Sequence, residues 1–510
     1  MIKPHNKNKS IIGIDFGTTK TIAAIFRDNL FEIIPDSRGR LTIPSLVLVT
    51  PEEEIFVGWE AKLHPQRYVS EHITINSIKR VLGKEHDCAW GNWKTHPQEI
   101  AALILARLKI EVEIYLGEEI TDAVIAIPAH FDINQRWAVL QAAEIAGFKV
   151  RRLINEATAA ATFYAHSISK EGNAIVVDIG GGTTDVSIIS YGEGVIEVQS
   201  TTGEHYVGGD DFDQVIVDQI KTVLKNQSED LQALATVQEF VLRNTATAAK
   251  IDLSDSSSTR IYLPAFIKRA GRTYDDLDFT LTRDNFIHLL DPFLKRILSL
   301  IDEAQKISEL TFRQIDKLIL VGGSSRIPKI REMISQYIGL QPQGNIDPEQ
   351  CIAKGAAAYA GVLQGNMKDM LLLDTFPCSL SVESSDGLAQ VLIPRNTTIP
   401  KVSSKTFSTT RDNQTEIEIR VFEGESKHAK SNIFIGKLIL SGIPSAKKGV
   451  PQIEFTLDID ANGTIWASAK ERASQKETSV RLLAPFLLNQ AQINVMRSAV
   501  SEVIKRQCKK

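Results

Sequence analysis

Cysteine is scarce, with four in 510 residues, at 88, 351, 378 and 508, and no CxxC pair. That scatter argues against a disulfide scaffold or a thiolate zinc site and fits a reducing compartment. No apolar run is long enough to span a bilayer. The N-terminus, MIKPHNKNKS, lacks the apolar core of a signal peptide. A basic excess for nucleic acid is missing, since the net charge is −4. The phosphate-binding pattern GxxxxGK(S/T) does not occur. These absences imply a cytoplasmic protein with neither nucleic acid nor membrane as a partner. What remains is ordinary globular composition, 43% hydrophobic and 24% charged. The length is enough for roughly three domains of usual size, or two if one is large.

From residue 11 to about 366, short β-rich runs alternate with long amphipathic segments. Strands are expected at 11–15, 123–127, 174–178, 186–189 and 318–321. Helices are expected at 97–116, 134–146, 155–167, 210–224 and 283–308. That alternation predicts an α/β domain over 1–366. After Met370 the pattern changes. TEIEIRV at 415–421 and IEFTLDI at 453–459 alternate strictly, and Asn462-Gly463 is a strong hairpin turn. An antiparallel β-sandwich is expected over 375–486. Between them, 367–374 contains DMLLLD, four apolar residues between acids. It reads equally as an edge strand of the sandwich or as a linker that docks in one state and is released in another. The end, 487–510, predicts one amphipathic helix with Ile493, Met496, Val500 and Val503 or Ile504 facing inward.

Two stretches carry the chemistry. GIDFGTTKT at 13–21 places Asp15 at a strand end, followed by Gly17, Thr18 and Thr19. IVVDIGGGTTDVSI at 175–188 repeats the device with Asp178, Gly180, Gly181, Gly182, Thr183 and Thr184. A repeated strand–Asp–turn–strand unit implies two similar halves facing each other. Glycines let backbone N–H groups approach phosphate oxygens, and threonine hydroxyls add donors. An Asp beside them would repel a bare phosphate but suits a magnesium ion placed between. A third glycine turn, LILVGGSSRIP at 318–328, presents Gly322, Gly323 and Ser324, with Arg326 able to lie flat on a base. Any one of these turns alone is more often an ordinary turn.

Together with GGDDFD at 208–213, LINEATAAA at 153–161, the DMLLLD linker, PRNTTIP and GVPQIEFTLDIDANG, they make the chain resemble the heat shock protein 70 family of molecular chaperones, from about 11 to 483. The resemblance implies an actin-like ATPase of two lobes, a β-sandwich that binds peptides, and a short C-terminal helix.

By that resemblance, Asp15 and Asp178 hold magnesium through its waters. Gly17, Thr18, Thr19, Thr183 and the backbone of Gly180 to Gly182 contact phosphates. Lys62, in VGWEAK, matches the catalytic lysine. Glu156 and Asp185 match carboxylates that order water, magnesium or potassium. Gly209, Lys250, Ser254, Gly322, Gly323, Ser324 and Arg326 match the nucleotide pocket. Val382, Leu388, Phe407, Ile417, Ile419 and Ile453 match the peptide cleft, although spacing alone reads Ile417, Ile419 and Ile453 as core. Pro128, Arg136, Arg152, Leu371, Leu372, Leu373 and Asp374 match the coupling between domains. The ligands implied are ATP or ADP, Mg2+ and K+. The partners implied are unfolded client polypeptides, a J-domain co-chaperone and a nucleotide exchange factor, acting on a monomer.

The sequence also departs from the family. Thr247 stands where a glutamate is usual, Lys20 replaces asparagine or tyrosine, Ala157 replaces proline in NEATAA, and Ser385 replaces an apolar arch residue. The helical lid is reduced to one helix, the acidic tail is missing, and the segment after Lys79-Arg80 is short. These departures suggest a divergent bacterial paralogue; IPRNTTIP and AAKIDLSD resemble the iron–sulfur-assembly branch, but the short subdomain and short tail do not. Three readings stay open: an ATP-driven chaperone, a regulatory or client-specific paralogue with weak turnover, and a sugar kinase of the same superfamily.

Overall fold

The computed structural model describes residues 9–64, 72–84, 88–90, 93–165, 171–227, 236–268, 274–344, 347–367, 370–482 and 487–507. Two mixed sheets organise the α/β part. In the first, Lys149–Asn155, Asp122–Ile127, Ile11–Phe16, Lys20–Arg27 and Leu30–Ile34 lie side by side. In the second the order is Lys317–Val321, Gly172–Ile179, Thr183–Gly192 and Val195–His205. The repeat read from sequence is a repeat of topology. Ile11–Phe16 pairs antiparallel with the strand after it and parallel with Asp122–Ile127. Gly172–Ile179 pairs antiparallel with its successor and parallel with Lys317–Val321.

The helices form where the sequence places both apolar spacing and stops. Pro97–Leu116 starts on proline, and the left-handed Gly117 caps its end by donating to Glu113 O. Arg283–Ser308 starts at Thr282, whose hydroxyl accepts from Asn285 N. It buries Phe286, Leu290, Leu294, Ile297 and Ile301 at helical spacing. Cys351–Leu363 runs between the sheets. A Cβ on Gly355 would sit 1.7 Å from Ala159 O, and one on Gly13 would sit 2.1 Å from Ala357 N. Both backbones approach this helix so closely that only glycine fits.

The β-rich part is two four-stranded antiparallel sheets on one core. One is Ala389–Ile393, Leu380–Glu383, Glu416–Glu423 and Ile433–Ser441, and the other is Lys401–Phe407, Ile453–Ile459, Ile465–Glu471 and Glu477–Arg481. Ile453, Phe455, Leu457 and Ile459 all point inward, as strict alternation requires.

The linker forms a strand of the second α/β sheet, in neither of the two four-stranded β-rich sheets. Leu371–Leu373 pair parallel with Val195–Glu197, adding a strand to the second α/β sheet. Asp374–Phe376 then pair with Thr397–Ile399 of the β-rich part. The two parts are docked around this strand. Ile133 and Trp137, on helix Ile133–Ile145, pack into the β-rich core. The guanidinium of Arg481 lies 3.7 Å from the Trp137 ring centre, and Leu153 N donates to Asn462 Oδ1 at 3.1 Å. The Asn-Gly turn is thus an interface element as well as a hairpin.

The C-terminal helix Gln490–Gln507 presents the face expected, burying Ile493, Val500 and Ile504 with Met496 and Val503 partly covered. It packs on helices Pro97–Leu116 and Ile133–Ile145 of the α/β part, sharing their core. Gln141 exchanges hydrogen bonds with the backbone of Leu488 just ahead of it. Among the described residues, no helix is long and apolar enough to cross a membrane.

Candidate nucleotide site and its coupling to the linker

Asp15 and Asp178 end equivalent strands, so the two sheets bring both carboxylates to one cleft floor. The glycine turns meet there. A Cβ on Gly181 would lie 2.6 Å from Thr19 Cγ2, and one on Gly182 would lie 2.9 Å from Thr18 Cγ2. The two turns therefore face each other directly. The third turn closes the group, since a Cβ on Gly322 would come within 2.6 Å of Asp178 Oδ1. Thr183 follows Gly182 in the same turn, and its carbonyl accepts from Gly180 N at 3.0 Å.

Asp15, Glu156, Asp178 and Asp185 are all buried, and so is Lys79. Lys79 Nζ donates to Glu156 Oε1 at 2.8 Å and sits between the rings of Phe16 and Phe131. Burial first, then Glu156, pushes Asp15 up to about 7, while Lys79 pulls it down. Asp178 is raised well above the usual carboxylate range by burial and then by Glu156, Asp185 and Asp15. Burial likewise raises Glu156. Several carboxylates around one ammonium form a site short of positive charge, and a hard divalent cation would restore it. Among the described residues, no three acidic, histidine or cysteine side chains converge tightly enough to hold a metal ion by themselves. Magnesium there would take much of its shell from waters and phosphate oxygens, which its chemistry favours.

Lys79 is the residue that sequence reasoning missed. Lys62, expected to be the catalytic lysine, lies exposed on the short helix Trp59–Leu63, its ammonium 5.1 Å from the Trp59 ring centre. Lys79 is the lysine brought to Glu156. Ile75, Ile78 and Leu82 around it are buried, so the chain there runs through the interior.

The remaining pocket residues assemble around the turns. Lys250 Nζ pairs with Asp213 Oδ1 at 2.8 Å and donates to Gly209 O at 2.8 Å. Thr247 Oγ1 donates to the other oxygen of Asp213 at 2.6 Å, so the threonine orients this pair through its hydroxyl. Ser324 Oγ donates to Gly180 O, and Ser254 Oγ to Lys250 O one turn back. Arg326 is half exposed and pairs with Asp347 at 2.9 Å. Gly323 lies against Glu349, which pairs with Lys20 at 2.8 Å.

A chain of hydrogen bonds runs from the linker to Asn155, the residue beside Glu156. Asp374 Oδ1 accepts from Asn155 Nδ2 at 3.1 Å and from Thr158 Oγ1. Asn155 Oδ1 accepts from Arg136 Nη2 at 3.1 Å, and Asn155 immediately precedes Glu156. Arg136 also donates to Phe131 O and Ala129 O, just beyond Pro128. Arg152 is buried under Tyr359, 5.7 Å from its ring centre. Leu372 is buried, Leu373 half-buried and Leu371 exposed.

The β-rich candidates divide. Val382, Ile419 and Ile453 lie in the core, Phe407 and Ile417 sit partly exposed at its edge, and Leu388 is exposed. A family model described as Hsp70 protein matches residues 11–91 and 87–510, covering both the turn-and-carboxylate site and the docked β-rich part. With nearly its whole length matched, the chain belongs to the Hsp70 protein family.

Proposed function

We propose that this chain is an ATP-driven chaperone, in which an actin-like ATPase over 1–366 controls a peptide cleft in the sandwich over 375–486. The observation that carries the reading is the convergence of three glycine turns on the buried Asp15–Lys79–Glu156–Asp178 cluster, with Asn155, the residue next to Glu156 in the chain, hydrogen-bonded to Asp374 of the linker strand.

In this reading, Thr18, Thr19, Thr183 and the turn backbones hold the phosphates of ATP. Lys250, Ser254, Ser324 and Arg326 hold the nucleoside. Asp15, Asp178 and Asp185 would hold magnesium through its waters, and the ion would supply charge neutralisation at the phosphates. Lys79 takes the role first read for Lys62: its ammonium orients the attacking water and offsets charge developing on the γ-phosphoryl group. No strong base is required, because phosphoryl transfer depends mainly on positioning and electrostatics.

The docked linker corresponds to the state that ATP favours, with hydrolysis releasing it and closing the cleft. Phe407, Ile417 and Leu388 offer apolar surface at the sandwich edge for an extended client peptide. A J-domain protein and an exchange factor would drive the cycle. Because coupling is reciprocal, peptide should in turn alter nucleotide turnover.

The test is the dissociation rate of a labelled hydrophobic peptide from the full chain, with ADP and then with ATP–magnesium. Release at least tenfold faster with ATP is expected. Equal rates with peptide bound in both states would leave the second reading, a client-specific paralogue with weak turnover. Phosphorylation of a sugar would leave the kinase reading.

A further inference from the structure

We propose that Lys20 is a built-in cation for the nucleotide cleft: it neutralises Glu349 across the mouth, so that nucleotide binding requires no dissolved potassium ion at that place. The inference rests on the nucleotide-binding reading above.

Lys20 opens strand Lys20–Arg27 of the first sheet. Its carbonyl closes the first glycine turn, 2.4 Å from where a Cβ on Gly17 would sit. Its ammonium leaves that half of the cleft and meets Glu349 Oε1 at 2.8 Å. Glu349 stands just ahead of helix Cys351–Leu363, in a short segment fastened to the third glycine turn. Pro348 O accepts from Gly322 N at 3.0 Å, and Asp347 Oδ1 accepts from Arg326 Nη2 and from Glu349 N, each at 2.9 Å. A Cβ on Gly323 would lie 2.9 Å from Glu349 Oε1. Burial and Glu156 raise the Asp15 carboxyl most, and Glu349 adds to them. The Glu349 charge is thus felt both at the nucleoside turn and on the cleft floor. A bare carboxylate there would repel the phosphates of a nucleotide.

Cations around the cleft are matched one to one with carboxylates. Lys79 pairs with Glu156 at 2.8 Å, Arg80 with Asp211 at 2.6 Å, Lys250 with Asp213 at 2.8 Å and Lys20 with Glu349. Asp15 and Asp178 take part in none of these four pairs, which leaves them for a hydrated divalent ion. Without Lys20, Glu349 would join them as an unmatched carboxylate beside the phosphates, and a dissolved cation would be needed to offset it. Potassium is the monovalent ion that the family resemblance implies. The Lys20 ammonium carries the same single charge and takes the same oxygen partners, so the chain meets that need from within. Asparagine or tyrosine, the usual residues at this position, would bring no charge. The pair matters little for folding, since its side chains are 48% and 31% exposed.

The experiment measures the dissociation constant of ADP–magnesium for the full chain, in potassium chloride and in tetramethylammonium chloride at equal ionic strength. Both salts screen alike, but only potassium is small enough to sit among oxygens at the mouth. Wild type should bind equally in the two salts, within about threefold. K20M should bind on the order of tenfold more weakly in tetramethylammonium, and potassium should bring it back to within about threefold of wild type. K20M combined with E349Q should bind as wild type does in both salts, since neither charge is left to match. A wild type whose affinity falls further than that in tetramethylammonium would overturn the proposal without any variant. So would a K20M protein that binds like wild type in tetramethylammonium, or a loss that potassium does not repair. A loss undiminished beside E349Q would overturn it too, because Lys20 would then act on the nucleotide itself. A wild type that binds no ADP–magnesium in either salt would sink the nucleotide reading, and this inference with it.

Discussion

Lys79→Ala separates the structural assignment of the catalytic lysine from the one the sequence suggests. The side chains of Lys79 and Glu156 are 3% and 8% exposed, with their charged atoms 2.8 Å apart. Removing one partner of such a buried pair costs about 3–5 kcal/mol, because the other charge is left unmatched. Part of that cost is recoverable, since burial already raises the pKa of Glu156 and it can take up a proton. A net loss of about 2–3 kcal/mol in folding stability is expected. Catalysis should suffer more. A preorganised donor facing charge that develops in the transition state is worth roughly 2.7–4 kcal/mol, or about 10²- to 10³-fold in rate. Lys62→Ala removes an exposed ammonium stacked near Trp59, a contact worth about 0.5–1 kcal/mol. The assay is single-turnover ATP hydrolysis for both variants, with thermal melting to subtract stability and nucleotide titration to subtract affinity. If Lys79→Ala hydrolyses ATP within about threefold of wild type while Lys62→Ala loses turnover, the assignment is refuted and the sequence match was the better guide.

Asp15, with a carboxyl pushed from 3.8 up to about 7, costs the nucleotide-free fold stability that grows as pH rises through that window and is complete above it. A rise of about three units is roughly 4 kcal/mol, so melting in chelator should fall from pH 5 to 8, and magnesium–ADP should flatten the curve. Glu423 is buried at the docking interface, accepts from Ile133 N, and is pushed up to about 8 by burial and then by Asp132. Docking should therefore weaken as pH rises through about 8, and Glu423→Gln should abolish that dependence in a linker-cleavage assay. Leu372→Asp puts a carboxylate into a buried linker position, so the linker should become protease-sensitive even with ATP while the β-rich part keeps its melting transition. Val500→Asp should free the C-terminal helix from the α/β core, detected as faster amide exchange over 490–507 and a linker more readily cleaved by protease.

Much of the fold was legible because periodicity reports burial. The helix over 283–308 was readable to the residue, since its apolar stripe and its threonine cap point to one element. Ile453–Ile459 was equally plain, because alternation leaves only one face for the core. The repeated turns marked Asp15 and Asp178, for a buried strand has little other use for a terminal carboxylate. Lys79 was not legible, because an isolated lysine carries no period and its partner Glu156 lies 77 residues away. Glu423 was hidden for the same reason. Its partner, Ile133, comes from another element, and only tertiary placement brings them together. The linker was ambiguous because an apolar run signals contact with a neighbour without saying which sheet provides it.

The docked arrangement has an energetic asymmetry that bears on the cycle. The polar contacts at Asp374, Asn155, Arg136 and Glu423 exchange water for protein partners, and each contributes only about 1 kcal/mol net. The C-terminal helix contributes differently. Ile493, Val500 and Ile504 are each at least 96% buried against the α/β core, and burying such a side chain is worth about 1.5–3 kcal/mol. That apolar contact does not depend on the nucleotide, so it favours the docked state with or without one. Moving a two-state equilibrium from 1:99 to 99:1 takes about 5.5 kcal/mol of differential affinity. A helix supplying a constant term would raise the docked fraction in every state, so hydrolysis would have to outweigh it to release the linker. The nucleotide would then act chiefly through the polar chain from Asn155, beside Glu156, to Asp374, and the helix would set where the resting balance lies.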